Sequence, residues 1–343
     1  MNNWMIYGAN GYTGELIARE AKARGLSPIL AGRNADKIHL LANELGFTSR
    51  VFDLFEQADL IKQLTDIKIV LNCAGPFSST SQLLISACIQ SNTHYVDITG
   101  EISVFEYAYG QKEQAEIAQI VLCPGAGFDV IPTDCVAAKL KQALPDANYL
   151  ALGFDSNSVL SPGTAKTAVE GLAEGGKVRI NGELKTVPLG WKTRKIDFGK
   201  GEKLATTIPW GDVSTAYYTT KIPNIEVYLP ISPKNLSFLK KANYLRWLLK
   251  LNFVQKFLKK KAAAQKGPDA KQLKELVTYV WGEVKNTKGD SKTIRITTGN
   301  GYALTVTGSL AIVEHLLKNQ VKGGYRTPSQ LMGAAFIDQL TLN

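Results

Sequence analysis

The feature that most constrains this chain is a glycine-rich turn close to its N-terminus. An apolar run over residues 5–7 is followed by Gly8, Gly11 and Gly14, and an amphipathic helical pattern then continues to Gly25. This order predicts a buried strand, a turn and a helix. Gly8 would allow the sharp exit from the strand, Gly11 would leave room for a phosphate, and Gly14 would let the helix pack closely. We therefore predict that the pyrophosphate of a dinucleotide binds at this helix N-terminus. An ordinary tight turn is the alternative.

The end of the second predicted strand indicates which dinucleotide binds. Domains that bind NAD usually carry Asp or Glu there, about 20 residues beyond the glycines, to bond the ribose hydroxyls. This chain has Gly32 and Arg33 instead. A carboxylate would repel a 2′-phosphate, whereas a guanidinium can bind it through two hydrogen bonds. The sequence therefore favours NADP(H), with a solvated arginine as the alternative.

Strand-like and helix-like stretches alternate from the glycine turn to residue 144. The later predicted strands are 28–31, 50–53, 67–71, 94–98 and 120–123. The predicted helices are 35–45, which we expect to end at Gly46, and 56–64, 78–91, 103–118 and 133–144. Such alternation predicts a doubly wound parallel sheet, the Rossmann arrangement. Because ligands of these sheets bind beyond the carboxyl ends of the strands, the loops after the strands form the candidate binding edge.

The pattern changes after Pro145. Strand-like runs over 150–154, 194–198, 204–208, 226–229, 292–298 and 303–306 predict an antiparallel sheet, and helical patterns cover 164–174, 308–318 and 328–340. The predicted fold class is therefore α/β, an N-terminal Rossmann doubly wound parallel sheet with a second mixed α/β domain containing an antiparallel sheet. We expect the first domain over 1–147, a substrate and dimerisation domain over 148–325, and a C-terminal helix over 326–343 at the domain junction.

Composition excludes few classes of protein. The chain has 40 Lys and Arg against 30 Asp and Glu, and its net charge of +10 favours phosphate-bearing partners without choosing among them. Its four cysteines match no Cys-x-x-Cys motif and it has three histidines, so we predict reduced, buried thiols and no metal site. With no signal-peptide pattern and no apolar run of bilayer length, we expect a cytoplasmic protein.

Several residues on the predicted binding edge are candidates for holding the cofactor. Small side chains after the fourth strand suit the nicotinamide half, and a carboxylate after the third strand can accept a hydrogen bond from adenine. Simple turns and helix caps explain the same residue types. The candidates are Gly8, Asn10, Gly11, Tyr12, Thr13, Gly14, Gly32, Arg33, Asp53, Asn72, Ala74, Gly75 and Pro76.

The densest group of titratable side chains is the stretch 94–101. Tyr95 and Asp97 share one face of a predicted parallel strand, although both faces of such a strand should be apolar. Buried polar groups at a ligand edge often serve substrate or cofactor. Asp129 lies in a second glycine-rich loop, 123–134, at the predicted domain junction. We take Tyr95, Asp97 and Asp129 as candidate catalytic residues, with helix capping as the alternative for Asp97.

Substrate contacts are expected on both sides of the predicted domain junction. Phe128 lies in the second glycine-rich loop, beside the expected position of the nicotinamide. Thr164 and Lys166 open a predicted helix, and their polar groups could bind a carboxylate or carbonyl oxygen. Helix capping is the alternative for Thr164.

Residues Phe238 to Lys261 combine eight basic residues with large apolar ones. At a helical period the apolar side chains fall on two neighbouring stripes, which need a wide burial surface or two separate ones. One explanation buries one stripe on the second domain and the other on a subunit partner or a substrate tunnel. The other explanation is a basic helix on an anionic membrane surface. Nucleic acid is not an expected partner, because the basic excess is concentrated here without a reader motif.

A family resemblance rests on residues 8–14, 30–34, 70–77, 94–101 and 127–134, with weaker likenesses at 161–165, 267–268, 281–283 and 325–328. Together these stretches resemble the saccharopine dehydrogenase-like oxidoreductases, in particular the branch that includes the trans-acting enoyl reductases. The resemblance implies an NADP-binding Rossmann domain followed by a mixed α/β domain that covers the nicotinamide.

The activity implied by the resemblance is NADP(H)-dependent hydride transfer to an enoyl or carbonyl group of a small or lipid-like substrate. We also expect a homodimer. The glycine spacing departs from the GxGxxG turn of true saccharopine dehydrogenases, and amino-acid chemistry of their type is one alternative. A non-catalytic NADP-binding protein attached to a membrane or lipid surface is the other.

Overall fold

The computed structural model describes residues 3–156, 169, 171–249, 251–263 and 276–341. The strands are β1 (Trp4–Tyr7), β2 (Ile29–Gly32), β3 (Ser49–Val51), β4 (Ile69–Asn72), β5 (His94–Asp97), β6 (Val121–Cys123), β7 (Tyr149–Ser156), β8 (Gly176–Ile180), β9 (Glu183–Val187), β10 (Thr193–Asp197), β11 (Glu202–Thr207), β12 (Asn224–Pro230), β13 (Thr278–Lys285), β14 (Ser291–Thr298) and β15 (Gly324–Tyr325).

The described α-helices follow the same order along the chain. They are α1 (Tyr12–Ala23), α2 (Ala35–Leu45), α3 (Gln57–Leu64), α4 (Phe77–Ser91), α5 (Ile102–Gly110), α6 (Lys112–Ile117), α7 (Ile131–Ala143), α8 (Asp212–Thr220), α9 (Pro233–Ala242), α10 (Arg246–Leu249), α11 (Asn252–Ala263), α12 (Gly301–Lys318), α13 (Pro328–Met332) and α14 (Phe336–Thr341). Two compact units contain them, one formed by Met1–Ile131 with Tyr302–Met332 and the other by Pro132–Gly301 with Gly333–Asn343.

The first unit is built on a seven-stranded sheet in the order β15-β6-β5-β4-β1-β2-β3. Every strand pair in it is parallel. Strands β1, β2 and β4 are buried along their whole length, as expected of parallel strands covered on both faces. The predicted Rossmann sheet is therefore confirmed. Strand β15 was not predicted, because two residues are too short to show a pattern.

Helix boundaries in the first unit follow from local sequence. Helix α1 buries Gly14, Ile17, Ala18 and Ala21, a stripe at helical spacing. Helix α2 begins after Asn34, whose side-chain oxygen accepts the Lys37 N–H at 3.0 Å. It ends at a left-handed glycine, as the sequence predicts.

The second unit contains a mixed sheet in the order β10-β11-β12-β7-β13-β14. Strands β8 and β9 form a hairpin that pairs with β12. The predicted second mixed α/β domain is confirmed, with one difference in its sheet. Strand β12 runs parallel to β7, whereas the other described pairs are antiparallel.

This second sheet curls until its two ends approach each other. Arg194 of β10 forms two hydrogen bonds, at 3.0 and 3.1 Å, with Glu283 of β13. Arg295 of β14 donates through Nε to the Asp197 carbonyl of β10 at 2.7 Å. The curled face encloses an apolar cluster of Ala151, Ile196, Phe198, Ala205, Tyr228 and Trp281.

Two predicted elements of the second half are wrong in detail. The run 303–306 is not a strand but the start of helix α12, because a short apolar run alone does not distinguish strand from helix. The predicted helix over 328–340 is two helices, interrupted at Gly333 with a φ of 88°. The predicted helix over 164–174 lies largely outside the described residues.

The division into units differs from the predicted boundaries at 147 and 325. Helix α7 joins the second unit because it packs on β13, where a Cβ added to Gly282 would lie 2.6 Å from the Val136 side chain and 2.7 Å from that of Leu140. Helix α12 joins the first unit. The C-terminal residues split, with α13 in the first unit and α14 in the second.

The packing of the curled sheet leaves no room for a side chain at Gly153. A Cβ at this position would lie 2.6 Å from the Tyr228 carbonyl oxygen, a backbone atom that cannot move aside. We expect Gly153→Ala to lower the free energy of unfolding by about 1–3 kcal/mol, the usual cost of overpacking. Gly110→Ala is the matched control, because a Cβ there has nothing within 4 Å. Equal urea midpoints for the two variants would contradict this packing.

Candidate functional site

The glycine turn is fixed by close backbone contacts. Gly8 has a φ of 80°, which favours glycine, and a Cβ on it would lie 2.8 Å from the Ala74 nitrogen. A Cβ on Gly14 would lie 2.4 Å from the Gly8 oxygen. The N–H groups of Gly8 and Ala9 both donate to the Ala31 carbonyl, at 2.8 and 3.1 Å. The turn is thereby held between the ends of β2 and β4.

Gly11 is different, because its surroundings are open. A Cβ there would meet only the Gly8 oxygen, at 3.3 Å. Gly11 is the N-cap of α1, and its carbonyl accepts the Glu15 N–H at 2.8 Å. The first N–H groups of a helix have no partner within the helix, and they attract anions. The cradle over Gly11, Tyr12 and Thr13 therefore fits a pyrophosphate.

The side chains after β2 and β3 gather around Tyr7. Arg33 and Asp53 are both exposed. Burial and the nearby Asp53 raise the pKa of Tyr7, while Arg33 opposes that shift. The Tyr7 and Phe52 rings lie 5.1 Å apart. Tyr7 was not predicted as a site residue, and its position at the carboxyl end of β1 is the signal that could have found it.

Two further candidates in this region, Asp53 and Gly32, make close local contacts. The Asp53 carboxylate accepts the N–H of the next residue, Leu54, at 2.7 Å. Gly32 ends β2, and a Cβ on it would lie 3.0 Å from the Asn10 side-chain oxygen. Asn10 and Gly32 thus lie together where the turn meets the second strand.

The loop after β4 is shaped by Asn72. Its side chain is fully buried, and its oxygen accepts the Ala74 N–H at 3.0 Å. Its amide donates to the Thr80 hydroxyl and to the Tyr95 hydroxyl, each at 3.2 Å. Asn72 therefore holds the loop rather than presenting its amide to a ligand. Ala74, Gly75 and Pro76 follow, and Pro76 is the N-cap of α4.

The N-terminus of α4 is occupied by a carboxylate from the protein. Glu101 accepts the N–H groups of Phe77 and Ser78, each at 2.8 Å. An anion is stabilised there by the helix dipole. Glu101 was not predicted as a site residue, because a contact with a distant helix leaves no local pattern in the sequence.

Tyr95 and Asp97 belong to a buried network. The Tyr95 hydroxyl donates to Asp97 at 2.8 Å, and the other Asp97 oxygen accepts N–H groups from Thr99 at 3.0 Å and Gly125 at 2.9 Å. Burial raises the pKa of Asp97 to about 6, although these hydrogen bonds oppose the shift. Burial and the nearby Asp97 charge raise the pKa of Tyr95. Both side chains are fully buried, which favours a positioning role.

Asp129, unlike Tyr95 and Asp97, is not fully buried. It is partly exposed, and its carboxylate lies against Gly100, where an added Cβ would be 2.7 Å from Oδ2. Burial raises the pKa of its carboxyl group to about 7. The neighbouring N–H of Phe128 donates to the Thr305 hydroxyl at 2.9 Å, which fixes the loop on α12. An acid that titrates near neutrality suits proton transfer.

His94 and the four cysteines are candidates for structural rather than catalytic roles. The His94 ring accepts the Val121 N–H at 2.9 Å, and burial lowers its pKa to about 4. All four cysteines are free thiols, and burial raises the pKa of Cys135 to about 12. Among the described residues there is no cluster of His, Cys, Asp and Glu that could hold a metal ion. Thr164 and Lys166 lie outside those residues.

A parallel sheet with a glycine cradle at its carboxyl edge and an arginine after its second strand defines a Rossmann-type dinucleotide-binding domain. Residues 4–123 match the family described as "Saccharopine dehydrogenase NADP binding domain". Residues 4–123 therefore resemble an NADP-binding domain of that family, and the resemblance predicted from the sequence is confirmed over this part of the chain.

Curated relatives support the same assignment. A bovine (Bos taurus) protein named saccharopine dehydrogenase-like oxidoreductase is 26% identical over 216 residues, 54% of this chain and 50% of its own. A trans-acting enoyl reductase from Mycobacterium ulcerans is 30% identical over 140 residues, 38% and 33% of the two chains. A lipid droplet localized protein from Caenorhabditis elegans is 26% identical over 189 residues, 49% and 44%. The matched part is thus about half, or less, of each relative's length.

Among solved structures, the fold is similar to apo saccharopine dehydrogenase (L-Glu forming) from Saccharomyces cerevisiae. The TM-score is 0.65 at 11% identity, over 99% of this chain and 96% of that chain. At this identity the likeness supports the fold and does not transfer an activity.

The raised pKa of Asp129 predicts a pH dependence of stability. Because the folded-state pKa of about 7 exceeds the ordinary value of 3.8, the stability that protonated Asp129 contributes is complete below about pH 4 and is lost as the pH rises towards 7. We expect Asp129→Asn to remove this loss, so that the variant gains stability relative to wild type between pH 4 and 7.5 in urea titrations.

Thr305→Val provides the control for this experiment. It removes the hydrogen bond to Phe128 in the same loop but no titratable group. This variant should be less stable at every pH and keep the wild-type slope. A stability difference between wild type and Asp129→Asn that does not vary with pH would contradict the assignment.

Proposed function

We propose that the chain is an NADPH-dependent oxidoreductase that reduces an enoyl or carbonyl group in a small or lipid-like substrate. The proposal rests on one observation above all. The open cradle at Gly11 and the exposed Arg33 after β2 lie on one edge of the same sheet, where they suit a pyrophosphate and a 2′-phosphate respectively.

The chemistry divides between cofactor and protein. NADPH would supply hydride when bound, and the protein must deliver a proton to the enolate or alkoxide that develops. Asp129 is our candidate donor, because its raised pKa keeps part of the population protonated near neutral pH. Tyr95 and Asp97 act on the same loop through the Gly125 N–H, and we assign them the task of positioning it.

The proposed substrate class draws on the relatives. The Mycobacterium ulcerans protein is named a trans-acting enoyl reductase, and the Caenorhabditis elegans protein is named for lipid droplets. Both names favour a lipid-like substrate over amino-acid chemistry of the saccharopine dehydrogenase type. We also propose that Phe128, Thr164 and Lys166 contact the substrate. The protein is, in the same proposal, a cytoplasmic homodimer. A non-catalytic NADP-binding protein is the competing function.

Cofactor preference tests the proposal through Arg33. We expect wild type to bind NADPH more tightly than NADH in calorimetric titrations. Arg33→Ala should weaken NADPH binding by about 1–3 kcal/mol, the scale of a charge-assisted hydrogen bond, and leave NADH binding nearly unchanged.

Arg19→Ala is the matched control, because Arg19 is an exposed arginine on α1 that pairs with Glu15 and Glu44. It should bind both cofactors as wild type does. Equal affinity of wild type for NADPH and NADH would contradict the role of Arg33. Oxidation of bound NADPH by any enoyl or carbonyl acceptor would then separate an enzyme from a non-catalytic binding protein.

A further inference from the structure

One surface of the second unit contains none of the residues assigned above to the dinucleotide site. The stretch 233–263 includes α9, a short 3₁₀ turn over Asn243–Leu245, α10 and α11. We call this stretch the basic helical segment. It contains nine Lys and Arg and no Asp or Glu. Since the net charge of the whole chain is +10, the rest of the protein is close to neutral.

The basic helical segment is attached to its unit through polar side chains. The Asn243 side chain accepts the Leu189 N–H at 2.8 Å and donates to the Leu189 carbonyl at 3.0 Å. Arg246 donates to the Glu174 carbonyl at 2.8 Å. A helix of an ordinary globular protein buries its apolar stripe and exposes its polar one. Here partly buried apolar side chains such as Leu236, which packs near Gly190, share the attachment with these polar ones, and no residue of α9 is fully buried.

Seven large apolar side chains of the segment are exposed to solvent. The segment is a small fraction of the chain. It nevertheless contains half of the large hydrophobic residues that are exposed in the described part of the chain. Their exposed fractions are 67% for Phe238, 84% for Tyr244, 54% for Leu245, 65% for Trp247, 37% for Leu251, 69% for Phe253 and 58% for Phe257. Single exposed apolar residues are common, but such a concentration marks an interaction surface.

A groove in this surface combines the two kinds of residue. Its volume is about 340 Å³, and it is lined by Pro233, Leu236, Ser237, Lys240, Lys241 and Tyr244. Apolar walls with two ammonium groups suit a lipid head group, whose phosphate pairs with the lysines while its acyl chains meet the apolar side chains.

We propose that the basic helical segment binds an anionic lipid surface, with its aromatic side chains inserted among the head groups. Charge complementarity favours an anionic lipid surface over a second copy of the chain as the partner of this segment. A second copy of the chain on this face would oppose nine positive charges to nine, whereas an anionic lipid surface attracts all of them. Tyr and Trp are also the side chains that favour the interface between lipid and water.

This mode of binding is peripheral. No helix among the described residues is long and apolar enough to cross a bilayer. Helices that lie in the interface bury only their apolar face and depend on anionic lipid. The proposal does not depend on redox activity, because it uses none of the residues around the glycine turn.

Vesicle flotation of the full chain tests the proposal. We expect binding to vesicles of phosphatidylcholine with 30% phosphatidylserine at 0.1 M salt, weak binding to pure phosphatidylcholine, and release at high salt. Lys240→Glu combined with Lys241→Glu should weaken binding at least about 25-fold, since each basic residue near the surface is worth about fivefold. Trp247→Ala combined with Phe253→Ala should weaken it at least about tenfold.

Matched controls locate the contact. Lys195→Glu with Lys292→Glu reverses two exposed lysines elsewhere in the second unit, and it should bind vesicles nearly as wild type does. Trp247→Phe should retain binding but lose the blue shift of tryptophan fluorescence that vesicles cause. NADPH affinity of each variant should equal that of wild type, which separates failure here from failure of the dinucleotide site.

Three results would overturn the proposal. They are an absence of binding to anionic vesicles, binding of equal strength to neutral vesicles, and a wild-type oligomer that Trp247→Ala with Phe253→Ala dissociates. The last result would assign the surface to a second copy of the chain.

Discussion

The close approach of three backbone segments around Gly8 is the constraint on which the first unit depends. The end of β1, the start of α1 and the loop after β4 meet there, at distances that exclude a Cβ on Gly8 or Gly14. The contact fixes the direction in which α1 leaves the sheet. It also fixes Ala74, which Asn72 holds from the other side. From Asn72 the network continues through Tyr95 and Asp97 to the loop that carries Asp129.

Two helix N-termini at this edge of the sheet differ in whether a protein carboxylate already occupies them. At α4 the position is filled by the Glu101 carboxylate, which accepts two backbone N–H groups. At α1 the corresponding space over Gly11 is open. Because both helix ends attract negative charge, filling one leaves the other as the place for a pyrophosphate. Burial also raises the pKa of the Asp129 carboxyl group to about 7, which suits a proton donor near neutral pH.

The parts of the structure that could be predicted from the sequence are those with local causes. The glycine spacing and the strand-helix alternation predicted the turn and the parallel sheet, and Gly46 ended α2 as expected. Contacts between distant residues left no such signal. Glu101 at the end of α4 and the parallel pairing of β12 with β7 both depend on tertiary structure. The basic segment was predicted as one helix but contains three, and its first break lies at Asn243 and Arg246, whose side chains bond to distant parts of the unit.

The central claim is that NADPH binds in the cradle over Gly11, and titration of NADPH into wild type and Gly11→Val tests it most directly. Gly11 has φ −82° and ψ 163°, a conformation that valine adopts readily. A Cβ there would lie 3.3 Å from the Gly8 oxygen and meet no other described atom within 4 Å outside the adjacent residues. We therefore predict a urea midpoint close to that of wild type and NADPH affinity at least about 100-fold weaker, because valine would occupy the space of the phosphate. A folded Gly11→Val variant that binds NADPH as tightly as wild type would contradict the account.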